Sequence, residues 1–319
     1  MDLFQTKPLD RILAEAEGRN ALKRTLGPGA LVALGIGAVI GAGIFTLTGV
    51  VASNYTGPGL VLSFVLTAIG CSLAGLCYSE FATMIPVAGS AYTYAYASFG
   101  ELWAWIIGWD LILEYSVGAA TVAIGWSQTL RALLAGLGIA IPGALAGSPW
   151  QAMSHGWINL PAVMIVAAVS LLLVRGIRES AGFNSFIVAL KVAVILVFIA
   201  IGWGYMQPAN HVPLIPPNQG GFGHFGWSGL LAGAGVIFFA YIGFDAVSTA
   251  AQEARNPRRD LPIGIFGSLA ACTVLFILYA WVLTGVVNYR ELNVAAPLAL
   301  ALGRIPAAGR RTRGSGPSG

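Results

Sequence analysis

Between Arg24 and Glu80 the chain carries no charged side chain at all. Charge is scarce everywhere: Asp, Glu, Lys and Arg make up 9% of the 319 residues, against roughly a quarter in soluble globular domains. That scarcity excludes an ordinary soluble domain. Cysteine is nearly absent too. Cys71, Cys77 and Cys272 are an odd number without CxxC spacing, which excludes a disulfide framework and a thiolate metal site and leaves three small packing residues. The three histidines, His155, His211 and His224, are scattered through outer loops without ligand spacing and read as solvated. No nucleophile–base pair or metal constellation emerges, so neither an enzyme nor a cofactor is indicated. The net charge of +4 is no signal of a nucleic-acid partner. Residues 1–24 are polar, and the first apolar run, from Pro28, is too long for a signal-peptide core.

What the chain has instead is length in apolar runs. Hydrophobic residues reach 57% and mean hydropathy is +0.78. Runs of the ~20 residues that a helix needs to cross a bilayer recur along the sequence. The alternating short segments of an outer-membrane barrel are missing. The fold class is therefore an all-α polytopic membrane protein, with seven spans near 28–52, 58–79, 101–127, 159–174, 182–206, 228–251 and 263–287. "NYTGPG" at 54–59 turns the chain between the first two. With the N-terminus inside, inner segments hold Lys7, Arg11, Arg19, Lys23, Arg24, Arg175, Arg178, Arg255, Arg258 and Arg259, whereas outer loops before residue 288 hold only Arg131. That asymmetry places the N-terminus in the cytoplasm of a cell whose plasma membrane the protein spans. Leu9, Ile12, Leu13 and Ala16 fall at helical spacing among charges, as in a short amphipathic helix lying on the inner surface. The sequence from 304 to 319, "RIPAAGRRTRGSGPSG", is a basic Gly/Pro/Ser-rich ending that follows the approach to a further span, and it reads as a truncation or frame change.

The first span raises a question. "GIGAVIGAGIFTLTG" at 35–49 holds five glycines, each costing a helix roughly 1 kcal/mol relative to alanine. Gly37 and Gly41 form a GxxxG, with Ala38 and Ala42 one residue on, and such faces let membrane helices approach closely. A dinucleotide loop is excluded because no strand precedes the glycines and no acid follows until Glu80. The alternative to packing is a break. "GAG" at 41–43 lies about 13 residues in, so ~20 Å deep at 1.5 Å per residue, where freed backbone groups are tolerated only against protein or a wet cavity. Span six repeats the feature: Phe239, Ala240, Tyr241, Ile242 and Gly243 lie at comparable depth, with Asp245 just beyond. Two interrupted spans, oppositely oriented and five apart, are the pattern of an inverted-repeat transporter. Half-helix N-termini offer N–H groups to a carboxylate, and freed carbonyls accept from an ammonium. Such a pair suits a zwitterion such as an amino acid, and the break is the preferred reading.

"LGIGAVIGAGIF" at 34–45, "EFATMIPVAGSAYTYAYASFGELWAWIIGWDLILEY" at 80–115 and "FFAYIGFDAVSTAAQEARNPRRDLPIGI" at 238–265 resemble the amino acid–polyamine–organocation superfamily of permeases, and within it the bacterial branch similar to cationic amino acid transporters. The resemblance covers roughly residues 20–303. It implies a five-plus-five inverted repeat with broken first and sixth helices, here with an incomplete second repeat, and proton-coupled amino-acid uptake by alternating access. On that reading residues 1–27 are a cytoplasmic segment, 28–206 the first repeat, 228–303 part of the second and 304–319 an off-pattern tail. The expected partners are the amino acid, protons and the bilayer; a small membrane subunit is not readable. By position, the resemblance puts the carboxylate-binding turn on Gly41, Ala42 and Gly43. It puts the ammonium-binding carbonyls on Ile40, Phe239, Ala240 and Ile242.

The charges inside spans complete the reading. Lys191, alone in "IVALKVAVILVF", lies about nine residues or ~13 Å into span five, and a central charge costs on the order of 2.5–3.5 kcal/mol. It is read as facing the bundle interior, where it matches the family's span-five lysine that replaces a coupling cation. Asp110 and Glu114 share one face of span three. Glu114 resembles the family's acidic partner of that lysine. Asp245 is expected to cap the broken helix or to pair with an inner arginine, and Glu80 and Glu101 to anchor the inner loop. The alternatives from other classes are a seven-helix retinal protein, disfavoured because span seven has no lysine, and a truncated remnant that binds ligand or an assembly partner without transporting.

Overall fold

The computed structural model describes residues 4–16, 23–147, 156–175, 177–294 and 296–305. Most of the 304–319 tail and His155 lie outside them. Among the described residues there is no strand, only isolated bridges at Leu26–Ala254 and Ala146–Asn159. The helices are α1 (Leu9–Ala16), α2 (Pro28–Val39), α3 (Thr48–Val51), α4 (Leu60–Met84), α5 (Ser90–Ser98), α6 (Glu101–Gly136), α7 (Leu160–Arg175), α8 (Ile177–Gly202), α9 (Gly226–Tyr241), α10 (Ala246–Thr249), α11 (Pro257–Val286) and α12 (Pro297–Arg304). Five stretches are long and apolar enough to cross a membrane: Gly43–Met84, Glu101–Gly136, Ser185–Tyr205, Gly226–Thr249 and Pro257–Val286. Pro28–Val39 and Leu160–Val174 are shorter apolar helices.

Both expected interruptions are present. α2 starts with Pro28 in its first turn, where a missing N–H costs nothing. It stops at Val39 because Ile40 turns to φ −75°, ψ 87°, and the Gly41 amide donates to Val39 rather than four residues back. The chain resumes as π turns at Gly43–Leu47 and Ala52–Thr56 on either side of α3. Such turns cluster at functional sites in membrane and soluble helices alike. In span six α9 ends at Tyr241, and Gly243 reverses the backbone at φ +109° before α10.

Packing joins the first two spans to the sixth and seventh. α11 lies against both α2 and α4, while α4 also packs on α9. Span seven thus meets both of the first two spans, and span two also meets span six. Lipid is as apolar as leucine, so these helices are held by close packing and interhelical hydrogen bonds rather than by water exclusion. Ser63 donates to the Leu230 carbonyl at 2.8 Å, and Thr67 to that of Ala234 at 2.9 Å. Fully buried Phe64, Tyr241 and Phe276 stack at centroid distances of 5.4–6.2 Å. The helices α6, α7 and α8 follow one another along one side, and α6 keeps Trp105, Trp109, Ile112 and Leu113 exposed.

Two sequence expectations need correction here. Cys71 and Cys272 are buried packing residues, but Cys77 is exposed, because it falls on the face of α4 turned away from α9 and α11. His211 is not a free loop side chain. Its ring stacks on Trp281 at 3.9 Å, and Nε2 lies 3.2 Å from the Trp281 carbonyl and from Thr284 Oγ1.

Candidate functional site

The opening question about glycines has a different answer at each position. A Cβ on Gly37 would stand 2.6 Å from Val188 of α8, so Gly37 serves helix packing. At Gly41 the nearest atom would be Val122 at 3.9 Å, and the space there is open. At Gly43 the new carbon would stand 2.7 Å from the Ala240 Cα, so the two breaks touch backbone to backbone. Gly243 closes the same junction: it combines positive φ with a would-be contact of 2.9 Å to the Ala38 backbone. No residue with a Cβ fits there without moving span one.

Beside this junction is a cavity of about 350 Å³, within the range that holds a small ligand. Of the residues expected at the site, Gly41, Ala42, Gly43, Phe239, Ala240, Ile242 and Glu114 all line it. The first amides of the helical segment beyond the first break, and the last carbonyls of α9, thus border one space, with complementary partial charge. Ile40 is fully buried behind it and does not line it. Its carbonyl accepts from Lys191 Nζ at 2.5 Å, and that of Gly37 accepts from the same nitrogen at 2.9 Å. These are carbonyls that the break deprives of their i+4 amides, so the lysine of α8 caps the end of α2 across the helix interface. The ammonium stands where a substrate ammonium was expected at Ile40, although a carbonyl retains a second lone pair.

Several contributions escaped the sequence reading, among them Val39, Ala246 and four residues of α6. Tyr115, Gly118, Ala119 and Val122 also line the cavity, from the same α6 as Glu114. On a helix, residues 115, 118, 119 and 122 form one stripe, and that spacing from Glu114 could have found them. Asp110 is exposed and outside the cavity. Asp245 departs from expectation: it makes no cap hydrogen bond to α10, and its Oδ2 has no hydrogen-bond partner. It is 5% exposed, near Glu114, Tyr115 and Tyr78. Glu80 and Glu101 are exposed at the ends of α4 and α6.

The comparisons agree with this geometry. The family model described as "Amino acid permease" matches residues 26–308. Over 300 residues the chain is 46% identical to the methylthioribose transporter of Bacillus subtilis (strain 168), covering 94% of this chain and 63% of that protein. It is 45% identical over 302 residues to the branched-chain amino acid permease BcaP of the same organism, with the same coverages. To the vacuolar cationic amino acid transporter 4 of Arabidopsis thaliana it is 36% identical over 312 residues, 94% of this chain and 50% of the relative. The chain thus spans less than two thirds of the length of these relatives. All are transporters rather than enzymes. The match over most of its length, together with helices able to cross a membrane, makes this chain a multi-pass membrane protein of the amino acid permease family.

Proposed function

We propose that the protein carries amino acids across the plasma membrane, N-terminus in the cytoplasm, in symport with protons. The first repeat would run over 28–206 and part of the second over 228–303. The substrate carboxylate would meet the amides at Gly41, Ala42 and Gly43, and its ammonium the carbonyls of Phe239, Ala240 and Ile242, the Ile40 carbonyl being held by Lys191. The observation that carries the reading is the Lys191 ammonium held by the Gly37 and Ile40 carbonyls at the first break. Protonated, Lys191 ties α8 to α2; deprotonated, it keeps two N–H donors but loses the charge, and the tie weakens. Weakening of the tie biases the two faces of the transport cycle by the difference in that contact. Glu114, lining the same cavity, is the acid that exchanges the proton.

The relatives' names cover branched-chain and cationic amino acids and a thio-sugar, so the substrate is to be found by assay. The chain is reconstituted in proteoliposomes and given labelled L-alanine, L-leucine and L-arginine with an inward proton gradient. Gradient-dependent uptake of at least one, lost when the gradient is collapsed, is the expected result. Uptake of none, from monodisperse protein that also fails to bind them, refutes the reading.

A further inference from the structure

The N-terminal segment does not lie free on the membrane surface. The Phe4 backbone packs on Gly100, where a Cβ would stand 2.7 Å from the Phe4 carbonyl. The Lys7 amide donates to the Tyr96 carbonyl at 3.3 Å, and Lys7 Nζ stands 5.9 Å over the Tyr96 ring. Ile12 of α1 is 4% exposed and shares a cavity of about 270 Å³ with Val87, Tyr92 and Gln252. Farther along, Leu26 donates to the Glu253 carbonyl and accepts from the Arg255 amide, both at 2.9 Å. Arg255 Nε adds a bond to the Thr25 carbonyl at 3.0 Å.

Phe4, Lys7 and Ile12 therefore touch the start of span three, the loop after span two and Gln252 in the turn after span six, and Thr25 and Leu26 touch that turn as well. All three lie at the face where α2 and α10 leave the breaks. Opening the cavity toward that face requires these segments to separate, and contacts from residues 4–12 that bridge them oppose it.

We infer that residues 4–16, with α1 at their end, are a latch on this face: docked they favour the closed state, and undocking of α1 precedes opening. The apolar contact at Ile12 is the catch. Leu26, bonded through the backbone to Glu253 and Arg255, is a fixed anchor on the same face, because those hydrogen bonds do not depend on side-chain identity. The inference rests on the alternating-access reading but is measured without transport.

In a chain carrying Cys71→Ala, Cys77→Ser and Cys272→Ala, Ala246→Cys places a thiol at the cavity lining. Membrane-impermeant thiol reagent is applied in turn to each face of oriented vesicles. Ile12→Asp, and separately deletion of residues 4–16, should raise the labelling rate from the N-terminal face about tenfold, or about 1.4 kcal/mol in the opening equilibrium. Labelling from the other face should not rise, and Ile12→Leu should match the parent. Equal rates in parent and both variants, each monodisperse on size exclusion, overturn the latch. Faster labelling in a chain that carries no amino acid keeps the latch and sinks the transport reading instead.

Discussion

Removing the Lys191 ammonium tests the coupling and the fold of the first break together. In Lys191→Ala two carbonyls lose their donor. Hydrogen bonds to a charged group contribute about 1.5–3 kcal/mol each. Two such bonds, at 2.9 Å and 2.5 Å, set an upper range near 3–6 kcal/mol, from which the hydration regained by a half-exposed lysine is subtracted. About 2–4 kcal/mol remains, concentrated at the α2 C-terminus, which corresponds to a shift of roughly 30- to 1,000-fold in a local opening equilibrium. Two assays read it. Amide hydrogen exchange at residues 40–44 should accelerate by that order while α4 and α11 stay protected. In proteoliposomes, accumulation driven by a proton gradient should be abolished. Retained accumulation with an unchanged dependence on external pH refutes the coupling role. Unchanged exchange at 40–44 refutes the capping argument itself.

Three further outcomes follow from the same geometry. Gly43→Ala should cost about 1–3 kcal/mol by overpacking against Ala240 and lower ligand affinity, whereas Gly41→Ala, with its nearest neighbour at 3.9 Å, should leave the thermal midpoint nearly unchanged; equal effects contradict the assignment of the two glycines. Glu114→Gln should flatten the pH profile of uptake in proteoliposomes while shifting the unfolding midpoint little, since the side chain is only half-buried. His211 is held below the usual imidazole range by burial, partly offset by its bond to the Trp281 carbonyl. The unfolded chain then binds the proton more readily, so stability is full above about pH 6.5 and falls as pH drops through the folded value. His211→Gln should remove that acid-side slope, modest because the ring is only partly covered, as scanned by thermal unfolding from pH 7 to pH 5.

Much of this was legible in the sequence for physical reasons. Span positions follow from runs without charge, and the lipid environment leaves such runs few options but helix. The breaks were readable because Gly41–Gly43 and Gly243 sit where a continuous helix would prefer other residues. What the sequence could not supply is which neighbour each residue meets. Gly37 and Gly41 look alike in a GxxxG, yet one abuts Val188 and the other faces open space. His211 reads as a polar loop residue until the chain folds back over Trp281. Asp245 reads as a cap because it precedes a helix, but it makes no cap hydrogen bond to α10 and stands near Glu114, Tyr115 and Tyr78, which are distant in sequence. Ile12 was expected to face lipid; the choice between lipid and protein depends on Val87 and Gln252, which are distant in sequence.

The outer parts of the broken spans meet along a seam of small residues. A Cβ at Gly229 would stand 2.1 Å from the Tyr55 carbonyl, one at Gly233 would stand 2.3 Å from Thr56, and the Phe225 amide donates to Tyr55 at 3.0 Å. The other halves, α2 and α10, touch as well: a Cβ at Gly35 would stand 2.8 Å from Val247, and a bridge between Leu26 and Ala254 joins the segments beyond them. Both pairs of halves are thus fastened to each other, and regular helix is interrupted only at the two breaks between them. The stretch from Gly43 to Thr56 with α9 would then ride as one block through the cycle and α2 with α10 as another, the two breaks serving as the elbows between them.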